Sequence, residues 1–218
     1  MSLALPQDYY DLAGKRGVAG ADDTVASALS AATSRIEQTL GTTFERASRV
    51  DYFAPRSNRG VSPSHPQYLL NLTAGYLDAA VAVTVYYSNN GLPIMSPSDS
   101  HAVAYEANQV AIDFIKGRVT LNAAVPGAHF RTVAVAYTHG FETDEEGEGS
   151  YYIGVPDVLK WGCCVEAARI IASHPGRVTD KIPFKEIQSE YQRSAHRQLR
   201  NLIRQRIAGD DPQYTETV

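Results

Sequence analysis

The stretch that most constrains this 218-residue chain runs from Pro156 to Ser173. Proline is preorganised for a first helical turn, so Pro156 opens a helix, and His174-Pro175-Gly176 closes it. Between them Val158, Leu159, Trp161, Cys163, Cys164, Val165, Ala167, Ile170 and Ile171 place apolar side chains around most of the circumference. A helix apolar on nearly all sides must be covered on nearly all sides. In a domain this small, that predicts cover from neighbouring copies of the chain as well as from its own core. Trp161, Val165, Ile170 and Ile171 are the candidate subunit-interface residues.

A second helix is predicted from about Asp22 to Leu40, with Asp22 or Asp23 as its cap and Gly41 as its stop. Val25, Leu29, Ala32, Ile36 and Leu40 recur on one face. Ahead of it, Tyr9 to Lys15 reads as a short helix. From Thr43 to about Gly140 the period falls to two: Val81, Val83, Val85 and Tyr87 alternate and stop at the turn Ser88-Asn89-Asn90-Gly91. Val103 and Tyr105, Val119 and Leu121, then Val133, Val135 and Tyr137 repeat the pattern. A last helix, about Phe184 to Ile207, carries Phe184, Ile187, Tyr191, Ala195, Leu199 and Leu202 on its apolar stripe. The fold class that follows is α+β, a helical bundle (one long N-terminal helix, two C-terminal helices) with a β-rich antiparallel barrel or sandwich insertion. The bundle takes residues 1–44 and 150–208, the insertion 45–149, and residues 209–218 form a flexible C-terminal tail.

Composition narrows the function classes. A net charge of −4 argues against a surface that clamps nucleic acid all over. No run approaches the roughly 20 apolar residues of a membrane span, and no secretory leader is legible at the N-terminus. Cys163 and Cys164 are adjacent, too close for an easy disulfide, and read as two small buried side chains in a reducing compartment. Motifs for a nucleophile elbow, a zinc site, a phosphate loop and a redox pair are missing, and the six histidines lack ligand spacing. The expectation is no enzyme, no cofactor and no metal. In the acidic loop Glu142, Asp144, Glu145, Glu146 and Glu148, a calcium register puts Ile153 where a bidentate Glu is required. That loop reads as a solvated surface, or as a face turned toward a basic partner or repelling DNA from one rim.

Two stretches together resemble the head–tail connector family of tailed bacteriophages. One is Asp22-Asp23 and the helix ending Ser34-Arg35-Ile36-Glu37-Gln38-Thr39-Leu40-Gly41-Thr42-Thr43-Phe44. The other is Val133-Ala134-Val135-Ala136-Tyr137-Thr138-His139-Gly140-Phe141, an acidic gap, then Val155-Pro156-Asp157-Val158-Leu159-Lys160 and the alanines at 167 and 168. The resemblance covers roughly 22–44 and 133–173. It implies an adaptor ring, commonly of 12 copies, beneath the portal protein. One face of the ring meets the portal and the other a neck or tail protein, and double-stranded DNA passes through. It places the protein in the virion neck, and in the host cytoplasm during assembly.

Two features are candidate contact sites for such a ring. Arg193, Arg197, Arg200 and Arg204 share the face of the last helix opposite its apolar stripe. With Glu186 and Glu190 upstream they complement the helix dipole as a solvated face. Alternatively they meet another subunit or the DNA backbone; a channel that must let DNA slide favours protein. The tail carries Asp210, Asp211, Pro212 and Tyr214, with Tyr214 as an aromatic anchor, and by resemblance engages the portal. Competing readings are a tail-side completion protein, and a ligand-binding barrel lined by Tyr68, Tyr76, Tyr86 and Tyr87.

Overall fold

A computed structural model describes residues 1–12, 23–54, 68–123, 125, 131–144, 151–173, 212 and 214–217. The helix expected over 184–207 lies outside them with Arg193, Arg197, Arg200 and Arg204, as do Asp210 and Asp211. The class is α+β, with three α-helices and only antiparallel sheets among the described residues. The chain divides into two compact units, Met1–Gly41 with Phe141–Arg204, and Thr42–Gly140 with Gln205–Val218.

The first unit is built on α1 (Pro6–Leu12), α2 (Asp23–Leu40) and α3 (Asp157–Ala172). α2 buries Val25, Ala28, Leu29, Ala32, Thr33 and Ile36, so the predicted face gains Ala28 and Thr33 and loses Leu40, which is only half-buried at the helix end, and Gly41 follows it at φ +63°. That left-handed step costs glycine nothing, which is why the helix stops there. α2 packs on α3, where small side chains let the helices approach. The Cys163 thiol donates to the Leu29 carbonyl at 3.4 Å, and Thr33 Oγ1 lies 3.5 Å from Cys163 Sγ. Thr33 Oγ1 also accepts the Leu3 amide at 3.0 Å, so the N-terminal residues are stitched to α2. Both cysteines are free and buried; burial pushes the Cys163 thiol up to about 11 and Cys164 upward as well. The acidic loop contributes Thr143–Asp144 (β8), which pairs with Tyr151–Tyr152 (β9).

The expectation for α3 needs correcting at two positions. Val165 and Ile171 are 1% and 3% exposed, already covered inside one copy of the chain. Ile170 is half-buried, and Trp161 alone of the four stands clearly at the surface, 46% exposed. Counting apolar residues around the helix overstated the missing cover. Gly162, Cys163, Ala167 and Ala168 are small, so neighbouring elements close over them at short range.

The second unit holds a five-stranded and a three-stranded antiparallel sheet. The larger has the order Tyr214–Thr217 (β10), Ala47–Phe53 (β1), Val133–His139 (β7), Thr84–Ser88 (β3), Ala102–Ala104 (β4). The smaller has the order Tyr68–Asn71 (β2), Arg118–Leu121 (β6), Val110–Asp113 (β5). Phe53, Val85, Val133, Val135 and Tyr137 of the first sheet share a buried cluster with Tyr68, Leu70, Val119 and Leu121 of the second. Val50, Tyr52 and Ala134 point to the opposite face, where Ile94 covers them. Gly140, directly after β7, sits at φ +86° with its Cα against the Phe44 and Glu45 carbonyls. A Cβ there would lie 2.6 and 2.5 Å from those oxygens, so only glycine fits.

The strand expected from Val81 begins only at Thr84. Asp78 accounts for the delay: its side chain accepts the Ala80 amide at 2.9 Å and its carbonyl the Val81 amide at 3.2 Å, so a turn consumes the first alternating residues. The four tyrosines of the barrel reading do not converge. Tyr68 lies in the core between the sheets, and Tyr86 packs on the opposite face of the larger sheet. Tyr87 stacks on Tyr105 with ring centroids 4.7 Å apart, and Tyr76 meets Phe44 at 5.7 Å.

Candidate functional site

The tail does not hang free. Tyr214–Thr217 adds to the edge of β1 in the register Tyr52↔Tyr214, Asp51↔Thr215, Val50↔Glu216 and Arg49↔Thr217. The tail reading rested on polarity and lack of pattern. A four-residue edge strand made of Tyr, Thr, Glu and Thr shows no apolar alternation, but threonine and tyrosine suit strands. Pro212, just ahead, is half-buried.

Because side chains alternate along β1, the tail is gripped from both faces of the sheet. On the core side stands Asp51, fully buried. A buried carboxylate is tolerable only when its lone pairs are filled, and four donors fill them. The Thr73 amide donates at 2.6 Å, Thr73 Oγ1 at 3.1 Å, the Tyr137 hydroxyl at 2.9 Å and Thr215 Oγ1 at 2.7 Å. Thr215 and Thr73 also face each other at 2.7 Å, Oγ1 to Oγ1. Burial, then the Asp51 charge, push the Tyr137 phenol well above its ordinary value, so it stays protonated and donates.

On the other face Tyr214 packs against Tyr52, ring centroids 5.7 Å apart. The Arg131 guanidinium lies 4.4 Å from the Tyr214 ring centre and 5.6 Å from that of Tyr52. Arg131 holds φ +55°, a left-handed backbone that a non-glycine residue adopts at a cost. The strained position aims a cation at the tail's aromatic residue. The Tyr52 hydroxyl donates to the Met95 carbonyl at 2.9 Å and reaches Glu216 at 3.4 Å. Burial first, then Glu216, push it up to about 12.

This clamp gives a direct expectation. Arg131→Asn removes the guanidinium but keeps a residue that tolerates a left-handed backbone. Losing a half-exposed cation–π contact of about 1 kcal/mol should speed amide exchange of residues 214–217 about fivefold. Exchange in β7 should stay unchanged; equal acceleration there would mean that Arg131 serves the whole unit rather than the tail.

Of the site residues expected from sequence, Tyr214 falls at this clamp, Pro212 comes two residues before it in the chain, and Trp161 lies on α3. Asp51, Thr73, Arg131 and Tyr137 were missed. The signal for Asp51 was a lone acid in the run Val50-Asp51-Tyr52-Phe53, where a charge is out of place unless paired. Among the described residues no cluster of three metal-ligating side chains occurs, and no helix is long and apolar enough to cross a membrane. Compared with known protein families and with curated proteins, the chain matches none.

Proposed function

We propose that this chain is a head–tail adaptor of a tailed bacteriophage. It acts as a structural protein that joins copies of itself, 12 by resemblance, into a ring beneath the portal. In this reading the ring extends the DNA channel, helps retain packaged genome and gives the tail its docking platform. It works through geometry, without a catalytic centre or cofactor, in the virion neck. The helical unit corresponds to the connector bundle and the two sheets to a sandwich-like insertion.

One observation carries the reading. The two segments that resemble the family carry helices more than a hundred residues apart in sequence, and these pack together as α2 on α3. Thr33 and Leu29 meet Cys163, and Arg35 pairs with Glu166 at 2.9 Å. Also on α3, Trp161 is exposed, a residue type enriched where protein interfaces are strongest. Arg193, Arg197, Arg200 and Arg204 belong by the same reading to a contact with a neighbouring subunit, with passing DNA the lesser candidate.

Mixing the purified chain with its portal and imaging the product tests the proposal. Rings seated on the portal are the expected result. Association with tail and not with portal would move the protein to the tail side of the joint. Trp161→Ser sharpens the test: a surface change should leave the melting temperature within about 2 °C. Ring yield should fall at least tenfold, as expected of an interface anchor costing about 2 kcal/mol. Unchanged assembly by Trp161→Ser would remove α3 from the subunit contact.

A further inference from the structure

β10 and the β1 edge are unequal partners. All four residues of β10 are exposed or half-buried, so the strand contributes nothing to the hydrophobic core. The edge that it covers presents the fully buried Asp51 and the fully buried Tyr52. The edge therefore requires a strand, with a hydroxyl opposite Asp51 and an aromatic ring opposite Tyr52. The strand itself is held by polar and ring contacts that any identical segment would reproduce.

We infer that the β1 edge is a strand-acceptor site, filled by the chain's own C-terminus here and able to take the same segment of a second copy. The ligand class is an extended peptide with an aromatic residue followed by threonine or serine, recognised by main-chain pairing, Asp51 and Thr73 on one face, and Tyr52 with Arg131 on the other. Every copy carries both halves of this contact, and roughly forty residues separate Ala172 from Tyr214. Exchange in trans loses no contact made in cis, which is the thermodynamic condition for strand swapping.

The site is independent of any ring, so the test uses the free full-length chain. One variant carries Arg49→Cys in the acceptor and another carries Thr217→Cys in the donor, a directly paired position. The native cysteines are buried and stay out of the reaction. A single chain with both substitutions should close an internal disulfide, which establishes that the pair reacts. Mixing the two single variants at high concentration should give a disulfide-linked dimer. Adding Thr215→Val to the acceptor chain alone should speed formation of that dimer several-fold, since the acceptor's own strand, without its hydroxyl, vacates the edge more readily for the incoming one. The pair Val50→Cys with Glu216→Cys, one position along, repeats the measurement should the first substitutions disturb the fold. Internal closure without any dimer, or a dimer indifferent to Thr215→Val, overturns the inference. Neither result touches the portal experiment, and absence of portal binding leaves this site standing.

Discussion

Asp51→Ala is expected to lower the melting temperature of the protein by about 10 °C. The carboxylate is the common acceptor of the Thr73 amide, the Thr73 and Thr215 hydroxyls and the Tyr137 phenol, and it is 0% exposed. Alanine removes the acceptor and leaves the donors, two of which have no obvious second choice. The Thr73 amide is fixed by its backbone, and the Tyr137 hydroxyl is held inside the core by its ring. Orphaning buried donors costs about 1–3 kcal/mol each, so a total of about 3–5 kcal/mol is reasonable after relaxation. For a chain of this size each kcal/mol moves the midpoint by about 2–4 °C. Thr215→Val removes one donor and leaves the carboxylate three, so its effect should be about 1 kcal/mol. Thermal unfolding of the two variants side by side checks the ratio. Equal losses would mean that Asp51 matters only through the tail.

The helices and several strands were legible because their signals are local. Pro156 fixes the start of α3 and Asp23 to Leu40 the extent of α2 by cap chemistry and spacing, which need no knowledge of the rest of the chain. β7 was legible from Val133, Val135 and Tyr137 for the same reason. What was not legible depends on partners distant in sequence. β10 is a strand because β1, more than 160 residues earlier, offers an edge that needs Thr215. The cover over Val165 and Ile171 is likewise a tertiary fact. The candidate site was half legible: Tyr214 was chosen as an anchor for its aromatic ring, but its own chain holds that ring through Tyr52 and Arg131. A polar edge strand gives weak pattern and strong specificity, because its side chains match particular partners instead of an apolar layer.

His139 supplies the second large effect, and it is a pH dependence. The ring is fully buried at the end of β7, and neither nitrogen makes a hydrogen bond to the described residues. Burial, then the positive charge of Arg49, push its pKa from about 6.5 down to about 4. The Thr43 backbone opposes this weakly without meeting hydrogen-bond geometry. The folded protein therefore holds His139 neutral in a range where the unfolded chain would protonate it. Between pH 6.5 and pH 4 the unfolded state binds more protons, so stability is fully present above pH 6.5 and drains away as pH falls through that window. At about 1.4 kcal/mol per unit the loss reaches about 3 kcal/mol by pH 4. His139→Phe, of similar ring shape, should flatten that part of the profile: the gap in denaturant midpoint between wild type and variant should change steadily from pH 6.5 to pH 4 and stay constant from pH 7 to pH 8. A gap that does not vary with pH would show that the ring is protonated as readily inside the fold as outside it.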